Sequence, residues 1–414
     1  MQGDTQGQTP QTNGDQGTGA SAGQRSGSTS LNPLPQRNFS NPLATTPGVQ
    51  VSVDHGEHPN LAFQNLPQPT GSQPYHLTLD QVLPGQLAAI QAAGKLVFHA
   101  AGDTGGIKSP QAQQAVANQM VADCQAASAA SRPAFFYHLG DVVYFFGQGS
   151  EYYSQFYYPY QLYSAPIFAI PGNHDGEVAD DTQVSLSAFV TNFCAQTPVL
   201  TKDAGDTHRH AMTQPNVYWT LEAPFVTFIG LYTNVPEGGR LDDAQIAWFA
   251  AEMTSAPTEK ALIVVMHHPC YSADLHHAGS QYMVQQLDQA IQASGRVPDA
   301  VLSGHVHNYQ RFTRTINGHD VPFLVAGAGG FWGLSSMQKD AKGNPLPTPY
   351  EFSDLGVTLA SYCDDRYGYL LMEVTPHTLK GQYFAVPGLG EAPGTPVLCV
   401  DTFALDLTAH KLTD

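Results

Sequence analysis

The stretch Gly140-Asp141-Val142-Val143-Tyr144 decides how the rest of the chain is read. An apolar run, Ala134-Phe135-Phe136-Tyr137-His138-Leu139, leads into it and has the character of a buried strand. Glycine then permits a sharp turn, and an Asp and a Tyr follow. Four other apolar runs end in the same way. Residues 96–101 run into Gly102-Asp103, residues 166–170 into Gly172-Asn173-His174-Asp175, residues 261–266 into His267-His268, and residues 300–303 into Gly304-His305-Val306-His307. Any one such pair arises by chance in a long chain. Five in succession place side chains with metal-ligand chemistry at the ends of neighbouring strands, where sites are built on parallel sheets. Asp141 is expected at the centre, bridging two metal ions.

The segments between these runs fit that frame. Residues 111–130 have helical spacing and link the strands ending at Asp103 and Asp141, which makes a βαβ unit. Residues 217–221 and 225–231 read as strands, and 241–253 and 281–293 as helices. The last hundred residues look β-rich, for example over 323–326 and 367–374. Alternating strands and helices followed by further strands predict a layered α/β sandwich, with the main domain over residues 96–414. Residues 48–95 form a lead-in expected to pack on it, with a strand-like alternation at 49–53 and a short helix within 83–93. Residues 1–47 are rich in Gln, Gly, Ser, Thr, Asn and Pro and hold no Val, Ile, Tyr or Trp. Such a segment buries too little apolar surface to offset its ordering entropy, so a disordered tail is expected.

Composition sets limits on function. The 17 basic and 35 acidic residues give a formal net charge of −18, which argues against binding to nucleic acid or an anionic membrane. It leaves room for an anionic small substrate, because bound metal ions invert the local field. No apolar run is long enough to span a bilayer. The first residues, Met1-Gln2-Gly3-Asp4, lack the basic and apolar regions of a signal peptide, so the expected location is cytoplasmic, or an exported chain already relieved of its signal. Five Cys without a CxxC suggest buried structural thiols rather than a zinc knuckle or a disulfide framework. Asp, Asn, His and Tyr together offer a donor mixture that suits iron, zinc or manganese better than calcium.

With these five motifs in order, the sequence resembles the calcineurin-like metallophosphoesterases and, within them, the purple acid phosphatases. Tyr144 is the subgroup marker, and the resemblance covers roughly residues 96–385. It implies a four-layer α/β/β/α sandwich with mixed sheets and a binuclear metal site. One metal, ferric iron, would take Asp103, Tyr144 and His307. The other, a divalent iron, zinc or manganese, would take Asn173, His267 and His305, and Asp141 would bridge the two. The implied activity is hydrolysis of small phosphate monoesters by a metal-bound hydroxide, with an acidic optimum. A phosphodiesterase or pyrophosphatase on the same scaffold is the alternative, and a non-catalytic metal or phosphate binder is disfavoured by the intact ligand set.

Three further histidines match the resemblance. His174 follows the ligand Asn173, as does the phosphate-contacting histidine of the family. His276 and His277, nine and ten residues beyond His267, match its substrate-facing pair, one of them a candidate proton donor. His268 is expected to be structural. His208-Arg209-His210 reads as a solvated loop, and the aromatic residues 152–163 as core. The plant enzymes carry a separate N-terminal β-domain for which 95 residues leave no room, so its contacts are not carried over. Asp175 also departs from the Glu of many plant members.

Overall fold

The structure, a computed structural model, describes residues 53–54, 65–180, 182–235, 238–392 and 394–413. The expected tail at 1–47 lies outside the described residues, as does most of the alternating segment at 49–53. The strands of the two large sheets, in chain order, are β1 (His76–Thr78), β2 (Leu96–Ala101), β3 (Phe136–His138), β4 (Ile167–Ala169), β5 (Trp219–Ala223), β6 (Val226–Gly230), β7 (Ala261–Val265), β8 (Ala300–Ser303), β9 (Tyr309–Ile316), β10 (His319–Ala326), β11 (Tyr350–Phe352), β12 (Val357–Cys363), β13 (Gly368–Val374), β14 (Thr378–Ala385), β15 (Leu398–Asp406) and β16 (Lys411–Thr413). The main helices are α1 (Pro110–Ala126), α2 (Asp243–Ser255) and α3 (Gln281–Ser294).

Among the described residues, two large mixed sheets form. One has nine strands in the order β11-β12-β9-β10-β8-β7-β6-β5-β1, the other seven in the order β16-β15-β14-β13-β2-β3-β4. β2, β3 and β4 run parallel, as do β6, β7, β8 and β10. The strands that lead into the five motifs are therefore neighbours within two parallel blocks, and their C-terminal ends meet.

Alternation along each strand explains the layering. Phe98 and Tyr137 point between the sheets, where their rings lie 5.0 and 5.5 Å from Phe228 of the other sheet. Tyr137 also stacks on Trp219 at 6.0 Å. His99, next to Phe98, points outward instead, and its Nε2 lies 3.4 Å from Asp123 of α1. In the other sheet Trp219 faces inward, while Thr220 donates to Glu252 of α2 at 2.5 Å. Helices thus cover both outer faces, as the four-layer expectation requires.

Local signals set the helix ends. Pro110 opens α1 at a position where its missing N–H costs nothing. Asp242 caps α2 by accepting from Gln245 N at 2.8 Å, and Ser280 caps α3 by accepting from Met283 N at 3.2 Å. Gly295 ends α3 at φ 68°. α1 stops at Ala126, before the expected 130, and continues as a short tight turn at Ala129–Ser131. No helix of the described residues is long and apolar enough to cross a membrane.

Two expectations need correction. Four Cys are buried, but Cys399 is exposed on β15. Arg209 is not solvated: its guanidinium turns inward and donates to the carbonyls of Ala165, Tyr160 and Tyr163. Its neighbours His208 and His210 are exposed, as a loop would have them. The aromatic residues 152–163 do supply core, with Tyr152, Phe156, Tyr157, Tyr160 and Tyr163 all buried.

Candidate metal centre

Six of the seven expected donors stand just beyond a strand end, and Tyr144 lies further along the loop after β3. Asp103 follows β2, Asp141 follows β3, Asn173 follows β4, His267 follows β7, and His305 and His307 follow β8. Three of the seven hold a conformation that side chains other than Gly rarely adopt: φ is 56° at Asp103, 54° at Asp141 and 68° at His305. Left-handed backbone at a bulky residue costs roughly 1–3 kcal/mol and persists where the surroundings over-determine it. Here it turns the side chain back over the strand ends. Gly172 makes this possible, because a Cβ there would lie 2.1 Å from Asp141 Oδ1.

The donors form two groups. Tyr144 Oη lies 3.3 Å from Asp103 Oδ1 and 3.5 Å from His307 Nε2, and those two atoms are 3.6 Å apart. A point equidistant from the corners of such a triangle is about 2 Å from each, the length of a bond from a transition metal to N or O. In the second group Asn173 Oδ1 is 3.1 Å from both His267 Nε2 and His305 Nδ1. Asp141 stands between the groups. Its Oδ1 is 3.4 Å from His267 Nε2, and donor atoms of Asp103, Asp141 and His267 all lie within 4.8 Å of one another.

Backbone contacts fix these side chains. The Leu139 carbonyl accepts from His267 Nδ1–H at 2.9 Å, and in that tautomer the Nε2 lone pair faces a metal position beside Asn173 Oδ1. The N–H of His305 donates to Asp103 Oδ2 at 2.8 Å, and that of His174 to Asp141 Oδ1 at 2.9 Å. Among the described residues, Asp175 makes no hydrogen bond to a side chain of the donor groups. Its carboxylate accepts from the N–H groups of Gly172, Val142 and Val143 and so ties the loop after β3 to the loop after β4.

The electrostatics call for cations. Asp103, Asp141 and Asp175 are all buried. Burial pushes Asp141 upward, but the charges of His267 and His174 outweigh it and hold the carboxyl well below the usual range. His267 is pushed down by burial and up more strongly by Asp141, to about 9, so a metal ion binding at Nε2 displaces a proton there. Burial and the Asp141 charge raise Asp175. Burial, then the charges of Asp141 and Asp103, lift the Tyr144 phenol far above its usual value, so it ionises only beside a strong Lewis acid. Burial and the surrounding histidines keep His305 neutral, the form that binds metal. Buried carboxylates in excess of buried cations are costly unless an ion joins them. The donor set therefore fits two metal ions.

The remaining candidates divide. His174 packs on Tyr144 with ring centroids 4.6 Å apart, and its Nδ1 lies 3.0 Å from the Phe145 carbonyl. The ring of His277 lies 5.5 Å from those of both His305 and His307. His276 is exposed, and its backbone N–H donates to Asp274. His268 is buried, with Nδ1 2.8 Å from Thr233 Oγ1, as a structural role requires. Asp274 escaped the sequence reading. It is fully buried, and its Oδ2 accepts from His277 N and lies 3.1 Å from His277 Nδ1. An acidic residue three positions before a candidate proton donor was the available signal.

Comparison with known proteins identifies the family. The sequence profile of the calcineurin-like phosphoesterase family matches residues 96–309, just over half of the chain, and every donor named above lies inside that span. Purple acid phosphatase 18 of Arabidopsis thaliana is 30% identical over 135 residues, which is 30% of each chain. Purple acid phosphatase 21 of the same plant is 28% identical over 129 residues, covering 30% of this chain and 29% of its own. The chain thus spans under a third of the length of these relatives. Among solved structures, purple acid phosphatase PPD1 from yellow lupin (Lupinus luteus) shares the fold at a TM-score of 0.53 and 15% identity, over 75% of this chain and 54% of that one. With the family's span enclosing both donor groups, this chain, similar to the purple acid phosphatases, belongs to the calcineurin-like phosphoesterase family.

Proposed function

We propose that the protein is a binuclear-metal phosphatase that hydrolyses phosphate monoesters, with an acidic optimum. The observation that carries this reading is the pair of donor groups, Asp103–Tyr144–His307 and Asn173–His267–His305, with Asp141 between them. In this reading the first group holds ferric iron, which alone among the candidate ions favours a phenolate ligand. The second holds a divalent iron, zinc or manganese, and Asp141 is shared. When bound, the ions supply Lewis acidity for the phosphate oxygens and a nucleophile at or below neutral pH.

The chain's own groups do the rest. His174, anchored through the Phe145 carbonyl and packed on Tyr144, is aimed at the phosphate oxygens. His277 carries a proton to the leaving alkoxide, and Asp274 holds its ring in place. The exposed His276 meets the substrate only at the rim. Proton delivery to the leaving group is what ties this reading to an acidic optimum. The test is hydrolysis of an aryl phosphate monoester beside its diester from about pH 4 to about pH 9, with Asp141→Ala as control. A monoester rate that peaks in acid and vanishes in the variant is expected. A faster diester rate, or no rate above the variant in protein carrying both metals, overturns the proposal.

A further inference from the structure

The loop after β10 spends aromatic surface at the mouth of the metal centre. β10 runs out into Gly327-Ala328-Gly329-Gly330-Phe331-Trp332. This loop is clamped to the donor site: Phe331 N donates to the Asp103 carbonyl at 2.8 Å. At Gly329 a Cβ would lie 2.3 Å from the Gly102 carbonyl, so the backbone sits directly on the end of β2. Phe331 then packs beside two expected ligands, with ring centroids 4.4 Å from Tyr144 and 4.3 Å from His307. Trp332 follows at 5.8 Å from Phe331.

Trp332 is not core. Of the three tryptophans, Trp219 and Trp248 are buried, whereas Trp332 is 44% exposed. Lys108, on the loop after Asp103, places Nζ 4.0 Å from the centroid of its ring. That contact holds the indole plane and brings positive charge to the rim of an otherwise acidic chain. An exposed indole joined to a half-buried phenyl, both tied to the donor site, is surface shaped for a ligand rather than for packing.

We propose that Phe331 and Trp332 form a stacking platform for the leaving group, so that the preferred substrates are monoesters of alcohols bearing a planar aromatic ring. The ring is aryl or a nucleoside base. This inference rests on the phosphatase reading above and assigns its substrate class. A phosphate ester held between the donor groups would carry its alcohol toward the mouth of the site, where Phe331 stands beside Tyr144 and His307. A small aliphatic alcohol gains nothing from the platform, whereas a planar ring gains a stacking contact.

The test compares metal-loaded full-length wild type with Trp332→Ala on AMP, ribose 5-phosphate and phenyl phosphate. AMP and ribose 5-phosphate share their leaving oxygen and differ by the base, so their ratio isolates stacking. The wild type is expected to favour AMP by about tenfold in kcat/KM, with the variant losing that preference mainly through KM. Ribose 5-phosphate should stay within about twofold. A fall confined to AMP identifies a nucleoside base, and a fall confined to phenyl phosphate identifies an aryl ring. A second readout needs no turnover: a non-hydrolysable phosphonate analogue of AMP should quench tryptophan emission in wild type and not in Trp332→Phe. Equal rates on AMP and ribose 5-phosphate in both proteins, with phenyl phosphate unaffected by the variant, overturn the platform while the phosphatase reading stands. No hydrolysis of any of the three by wild type removes both.

Discussion

Asp141 Oδ1 stands 3.4 Å from His267 Nε2, and this contact joins the end of a strand in the seven-stranded sheet to the end of a strand in the nine-stranded sheet. The two side chains meet at the seam between the layers, where neither sheet alone could assemble the site. Both are buried, so their mutual field is little screened by solvent. The same seam brings the Asn173 amide within 3.1 Å of His267. The site is therefore a property of how the sheets face each other, and small changes in that facing should be felt there first.

Gly172→Ala should show this. The added Cβ would lie 2.1 Å from Asp141 Oδ1 and 2.4 Å from Asp141 N. The Asp141 side chain must move, and with it the bridge between the donor groups. We expect a fall in hydrolysis of at least about 100-fold, since a misplacement near 1 Å costs that much. Far-UV circular dichroism should be unchanged. Near-normal activity would contradict the close approach.

Asp274→Asn addresses the proton donor. Asp274 Oδ2 lies 3.1 Å from His277 Nδ1 and also accepts from the backbone of His276 and His277. The amide keeps the shape and removes the charge that orients an imidazolium. We expect kcat to fall about tenfold with an altered pH profile and unchanged metal content. His276→Ala should cost far less, because that side chain is exposed. An equal loss for both variants would contradict the assignment of His277.

His76 makes stability depend on pH. Its Nε2 lies 2.6 Å from Glu252 and its Nδ1 2.7 Å from Glu222, linking β1 to α2 and β5. The hydrogen bond to Glu252 is the largest influence; burial opposes it, and the net effect raises the His76 pKa above 6.5. A raised histidine stabilises fully below its unfolded value and loses that contribution as pH climbs through the folded one. The side chain is only half-buried, so solvent screening holds the effect under about 1 kcal/mol. His76→Gln should therefore lower Tm near pH 5.5 and much less near pH 9. The same drop at both would contradict the ion-pair origin.

Arg209→Met should destabilise without touching the chemistry. Its guanidinium donates to the carbonyls of Ala165, Tyr160 and Tyr163; in the variant those of Ala165 and Tyr163 lose this partner, while that of Tyr160 keeps the N–H of Tyr163. Stranded acceptors of this kind cost about 2 kcal/mol. A clear fall in urea midpoint with unchanged kcat in the folded fraction is expected. An unchanged midpoint would contradict the clamp.

The strand-end placement of the proposed donors other than Tyr144 was legible because each follows an apolar run, and runs of that kind are visible without knowing the partner strands. Asp103, Asp141, Asn173, His267 and His305 all come to the strand ends that their motifs marked. The layer order was legible for a similar reason, since alternating strands and helices admit few arrangements. Arg209 was misread because its partners are carbonyls up to 49 residues away, and carbonyls carry no mark in a sequence. Asp274 was missed because its role depends on a turn that returns its carboxylate to the two following histidines. The Phe331–Trp332 surface was missed because exposure of an aromatic pair is decided by the loop's path, which the glycine run permits but does not direct.

Metal analysis of the purified chain beside Asp141→Ala tests the central claim most directly. If the two donor groups share Asp141 as a bridge, wild type retains about two ions per chain, at least one of them iron, with a visible absorption band that Tyr144→Phe abolishes. Asp141→Ala should retain fewer than about one and lose hydrolysis. Two ions retained by the variant, or none bound by wild type after exposure to iron and zinc, would contradict the account.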